Sequence, residues 1–254
     1  MFATCPKSAN CLRGILVLVC LGVSALAEQP IRDNTEQFLR EHNISITKQD
    51  VVAALWNNDA AVRKAASHFL SNRWPTDAAV PIQEAMLREE DGLIRVSLAN
   101  DLAQVGETAG REKLLAECHN SSEWGSTRVL AARFMFDLHD DSCVDAVLEI
   151  LRSDSDPQDT LAKVDALNLA PIFVQHFTDR KNQSVMDLTV NALNDADLGV
   201  RITAATTLGR LADPSAITAL QAALANEQDA TGRNVMLIEL KGLRRSQKDA
   251  SNRR

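Results

Sequence analysis

Five histidines, two cysteines beyond the N-terminal segment and a scatter of serines and aspartates are the residues of this chain that could do chemistry, and their spacing assembles none. Helical metal sites place His or Glu ligands three or four residues apart. His42, His68, His119, His139 and His176 have no histidine partner at that spacing. His139-Asp140-Asp141 reads as a polar turn between helices rather than an ion site. Asp154-Ser155-Asp156 resembles the start of a calcium loop but lacks the glycine and closing glutamate that such a loop needs. No glycine-rich phosphate loop and no nucleophile elbow appear. The sequence therefore predicts no catalytic residue, no metal and no cofactor.

What does recur is a charge pair. An aspartate followed four residues later by a base appears at Asp59/Arg63, Asp91/Arg95, Asp159/Lys163, Asp197/Arg201 and Asp229/Arg233. Arg128 fills the gap, with Trp124 at its aspartate position. The steps between the basic residues are 32, 33, 35, 38 and 32, a period that marks a stacked helical solenoid. An aspartate suits the positive end of a helix, and a base one turn later lies on the same face. A catalytic residue is needed once and a packing residue in every unit, so these pairs are expected to form a structural ladder between repeats.

The clearest unit shows the elements. Asp197-Leu-Gly-Val-Arg201 opens a helix that Ile202, Ala205, Leu208 and Leu211 continue at helical spacing. Gly209, inside it, is expected where another helix backbone comes close. Asp213-Pro214 restarts the chain, and Ile217, Leu220 and Leu224 form the stripe of a second helix. Units are assigned to residues 57–89, 90–121, 122–156, 157–195 and 196–227, with a cap helix to residue 243. Residues 28–56 are read as an N-terminal helical cap, with Thr47 and Asp50 as a capping-box-like start.

Asp197, Val200, Arg201, Ala204, Ala205, Leu208, Gly209, Leu211, Asp213, Pro214, Ala216 and Leu220 resemble the HEAT repeat, and more closely the short HEAT-like repeat of the phycobilisome lyase family. Asn58 to Ala66 and Asp91 to Ala99 are weaker copies, and the resemblance spans residues 47–243. It implies an all-α, right-handed α-α superhelix of armadillo type, whose second helices line a concave, partner-binding surface. It implies no single chemistry. Glu41-His42 reverses the His-Glu order of iron-binding HEAT hydroxylases, and an acidic chain does not suit HEAT-like DNA glycosylases.

The N-terminus reads differently. Lys7 and Arg13 precede an apolar run of 13 residues, Gly14 to Leu26, and Ala25-Leu26-Ala27 offers a cleavage site. Residues 1–27 are thus expected to be a signal peptide; the run is too short to span a bilayer. Export to a bacterial periplasm, or secretion, follows. Without those 27 residues the chain carries 25 basic and 34 acidic side chains, which argues against nucleic acid. No transmembrane segment remains. Residues 244–254 are expected to be a disordered basic tail, with a weak anionic-surface contact open to Arg244, Arg245, Arg253 and Arg254. Cys118 and Cys143 fall, on the repeat register, at opposite ends of neighbouring helices, so no disulfide is expected.

Two irregularities mark candidate partner-binding positions. Trp124 replaces the expected aspartate, and Trp74 occupies another unit's turn; exposed tryptophan is a frequent hot spot. The fourth unit is the longest, with its surplus near Pro171 to Phe177, which nominates Phe173 and Phe177. Second-helix residues expected to face the groove are Glu84, Arg111, Asp145, Glu149, Thr218 and Gln221. The reading is an exported scaffold that binds another protein without catalysis. The alternatives are a lyase-like, cofactor-handling protein and a structural envelope module.

Overall fold

A computed structural model describes residues 34–153, 157–176 and 180–252. The proposed signal peptide lies outside them. The described residues form an all-helical solenoid. Helices α1 (Asn34–Glu41) and α2 (Lys48–Ala54) precede five helix pairs. These are α3 (Ala60–Arg73) with α4 (Pro75–Arg88), α5 (Gly92–Gln104) with α6 (Thr108–His119), and α7 (Gly125–Asp137) with α8 (Val144–Arg152). There follow α9 (Pro157–His176) with α10 (Arg180–Asn191) and α11 (Leu198–Leu211) with α12 (Ala216–Asn226). The last helix, α13 (Ala230–Asn252), covers the open end. It buries Gly232, Met236, Leu240 and Leu243. The disordered tail expected from Arg244 is helical as far as Asn252, because nothing after Gly242 stops a helix.

The recurring aspartates act as N-caps. Asp59, Asp91, Asp197 and Asp229 accept backbone N–H groups of the first turn, which satisfies donors a helix start leaves open. Trp124 occupies that position in the third unit and offers no side-chain cap.

The arginines do not pair with those aspartates. Arg63 grips both oxygens of Glu89, at 2.7 and 2.8 Å, and Arg201 grips those of Glu227, at 2.7 and 3.1 Å. Each acid closes the second helix of the same unit. Arg95 reaches Glu117 and Glu123, and Lys163 reaches Asp195. The other guanidinium edge binds main chain: Arg63 donates to the carbonyls of Asn57 and Asn58, Arg95 to Glu89 and Glu90, Arg201 to Asp195 and Ala196, and Arg233 to Glu227 and Gln228. Glu89, Asp195 and Glu227 therefore each hold two units. The side chain takes the base of its own unit and its carbonyl takes the base of the next. Arg128 differs: it bonds the Cys118 carbonyl and the exposed carboxylate of Glu149.

First helices pack directly on one another along the whole stack, from α3 on α5 to α11 on α13. Buried Ala66, Ala99, Ala131, Ala132, Ala166, Ala204 and Ala205 permit the close approach. Successive second helices touch little before α8 meets α10. The more closely spaced row lies on the inside of a curved stack. The first helices therefore line the concave face, not the second helices that the resemblance placed there. Gly110 lies where a backbone comes close, against Ala99 and Ala103 of α5. At Gly209 the close neighbour is instead the Glu239 side chain of α13.

Cys118 and Cys143 form a disulfide, with Cα atoms 5.9 Å apart. The expectation of free thiols assumed second helices side by side in one register. In the third unit a longer turn intervenes. His139 takes a left-handed conformation, φ 58°, and Asp140 N–H bonds the Met135 carbonyl at 2.9 Å. The turn then lies along α6, where Arg111 pairs with Asp140 and His119 bonds the Ser142 carbonyl at 3.0 Å. The start of α8 thus meets the end of α6. Both cysteines are fully buried, as the repeat register implies for packing positions.

Two outcomes follow from this build. Reducing the Cys118–Cys143 bond, which spans 25 positions, is expected to lower the unfolding free energy by about 3 kcal/mol, read as a lower urea midpoint. The second concerns pH. The Arg201 guanidinium and the Asp229 N–H hold Glu227 at about 2. Burial would raise Glu89 and Glu117, but Arg63 with the Asp91 N–H, and Arg95 with Lys113, more than offset it. Unfolded glutamates titrate near ~4.3, so this stability is full above about pH 4.5 and drains as pH falls towards 2. Glu239, raised by burial, acts in the opposite sense. Melting temperatures from pH 6 to 2.5 should fall steeply, and less so in Glu227→Gln.

Candidate protein-docking face

The concave face is a lattice set by the repeat. Positions two before and two and five after each recurring base point the same way. In units two to four they are Leu93, Ser97 and Asn100; Ser126, Leu130 and Arg133; and Leu161, Asp165 and Asn168. Between α5, α7 and α9 these positions, Ser97 and Asn100 excepted, bound a cavity of about 420 Å³, lined by Leu93, Ser126, Val129, Leu130, Arg133, Leu161, Asp165, Asn168 and Leu169. Its floor is apolar. Leu161 is 62% exposed and Leu93 45%, so apolar surface is left to solvent at its mouth. Its rim is polar, with Arg133 3.2 Å from Asp137 along α7. Gly125 lets α7 start against Ala162 of α9, which brings the two helices that frame the cavity together. An arrangement of apolar floor and mixed polar rim suits an apolar anchor held by hydrogen bonds.

A second polar group lies between α3 and α5. Ser67 donates to the buried carboxylate of Asp101 at 2.6 Å, and His68 Nδ1 lies 3.3 Å from the other oxygen. The residue types are those of a hydrolase. The geometry is not, because the serine is buried and its proton goes to the carboxylate rather than to the imidazole.

The nominated residues scatter. Trp124 is 80% exposed at the start of α7, next to the cavity's Ser126. Trp74 is half-buried and meets Phe69 edge-on at 5.8 Å. Phe173 is 1% exposed and packs edge-on against Phe136; it is a core residue, because Pro171 is accommodated within α9 and creates no loop. Phe177 lies outside the described residues. Glu84, Asp145, Thr218 and Gln221 are exposed on second helices, in the outer row. Arg111 and Glu149 are committed to Asp140 and Arg128. Asp159 opens α9, but its side chain lies outside the described residues. Arg244 and Arg245 are exposed on α13, and Arg253 and Arg254 lie outside the described residues. Leu93, Leu130 and Leu161 were missed, although their fixed offsets from Arg95, Arg128 and Lys163 are visible in the sequence.

Among the described residues, no helix is long and apolar enough to cross a membrane. Residues 144–241 match the family description of HEAT repeats. A solved engineered protein is 18% identical over 78% of this chain and 97% of that chain, with a TM-score of 0.45. The complex of CpcE and CpcF of phycocyanin lyase from a Nostoc species is also 18% identical, over 78% and 95%, with a TM-score of 0.34. No curated protein matches the sequence at a significant level. The matched stretch runs from α8 into α13 and consists of HEAT repeats, and the same capped helix pair with its gripping arginine recurs in α3 to α6.

Proposed function

We propose that this chain is an exported, non-catalytic scaffold that docks a partner protein on its concave face, centred on the cavity between α5, α7 and α9. The observation that carries this reading is the exposure of Leu93 and Leu161 at the mouth of an apolar cavity of about 420 Å³, with exposed Trp124 two residues before its Ser126 in the chain. Exposed apolar surface rimmed by polar groups marks interaction sites. A rigid row of helices presents such a surface with little ordering cost on binding. The N-terminal apolar segment supports export, and a buried disulfide is at home in an oxidising compartment such as the periplasm.

The test is a crosslinking capture from the envelope fraction of the source cell. Leu161→Glu is expected to reduce recovery of a specific partner by at least about tenfold, since burying a carboxylate in an apolar pocket costs more than 1.4 kcal/mol. Gln221→Ala, on the outer row, should leave recovery unchanged. Loss in Gln221→Ala with retention in Leu161→Glu would move the docking face to the second helices.

A further inference from the structure

Away from the docking face, on the outer row, Cys118, His119 and Cys143 bring three ligand atoms within 4.8 Å of one another. Two independent features favour a ligand there. His119 Nε2 lies 3.0 Å from the Ser142 carbonyl oxygen, which can only accept, so Nε2 carries the proton and Nδ1 the lone pair. Metal-binding imidazoles are commonly fixed in this way. Both sulfurs are buried while His119 is exposed, so the trio has a solvent side and a protected side.

We propose that, with its sulfurs reduced, this trio binds one thiophilic ion of the zinc(II) or cobalt(II) class, and that the disulfide is the metal-free oxidised form. A dithiol reductant passes two electrons and two protons to the S–S bond, becomes a disulfide itself and leaves two thiols. A divalent ion then forms two metal–sulfur bonds, and both thiol protons go to solvent. Zinc–sulfur bonds of about 2.3 Å set tetrahedral sulfurs roughly 3.8 Å apart, so the two sulfurs bonded in the disulfide must part on reduction, with their Cα atoms starting 5.9 Å apart. Two thiolates cancel the ion's charge, which matters beside the Arg128 guanidinium that donates to the Cys118 carbonyl. Two sulfurs and an imidazole disfavour magnesium and calcium, which prefer oxygen ligands. The fourth position faces solvent past His119. The ion would bridge α6 and α8 where the covalent bond otherwise does, and so hold the same joint in a reducing compartment.

The experiment uses the full-length chain with Cys5, Cys11 and Cys20 replaced by serine, so that Cys118 and Cys143 alone remain, reduced with a dithiol, desalted without oxygen and titrated with cobalt(II). One equivalent is expected to bind, with thiolate-to-cobalt charge-transfer absorption, displacement by zinc(II), and protection of both cysteines from alkylation. His119→Ala retains both sulfurs and should re-form the disulfide on oxidation, yet bind cobalt about tenfold or more weakly. Should the reduced chain lose helicity, zinc is expected to restore it, since metal binding couples to folding. No charge-transfer band in a folded reduced chain, unchanged affinity in His119→Ala, or a reduced chain left unfolded by zinc would each overturn the proposal.

Discussion

An arginine held between two turns organises this solenoid. In the first and fifth units its guanidinium takes the two carbonyls that lead into its own helix and, at the other edge, both oxygens of the acid that ends the unit. Guanidinium suits the task because it is planar, permanently charged and rich in donors. Its partner is buried: the Glu227 side chain is 2% exposed. Charges out of water are costly, and a hydrophobic replacement can match a buried pair in stability. What the ion pair adds is geometry. It fixes the distance between the start and end of a unit, and the shared acid passes that constraint to the next one.

That chain of grips runs through Arg63, Glu89 and Arg95, and again through Lys163, Asp195, Arg201, Glu227 and Arg233. Between the runs it lapses. Trp124 gives no cap, and Arg128 turns to the Cys118 carbonyl and an exposed glutamate. The disulfide sits at this joint, and the crosslinked loop contains α7, the central wall of the cavity between α5, α7 and α9. Relaxing the repeat in one unit thus accompanies both a covalent bond on the outer row and an exposed apolar face on the inner one. Conformity holds the stack, and departure from it makes the surface distinctive.

The helices, the period and the capping aspartates were legible because they are local. An aspartate before an apolar, helix-spaced run meets its partners within three residues. The partner of the recurring base was not legible in the same way, because it lies 21 positions downstream for Arg128 and 32 for Lys163. A trace of it exists: Glu89, Asp195 and Glu227 each stand two residues before a capping aspartate and accept its N–H. The disulfide was misread because an ungapped register concealed the long turn after His139. The concave face was misplaced because row spacing depends on how closely buried alanines let helices approach, which the pattern of apolar residues does not encode.

The central claim is that arginine and acid act as one unit in holding each repeat closed. A double-mutant cycle on Arg201→Met and Glu227→Gln, read by urea unfolding, tests it most directly. Removing either partner alone strands a buried polar group and should cost about 3 kcal/mol, whereas the double variant should cost little more than one single change, a coupling above about 1.5 kcal/mol. Additivity within about 0.5 kcal/mol would contradict the account, because it would mean that the two side chains meet without holding anything together.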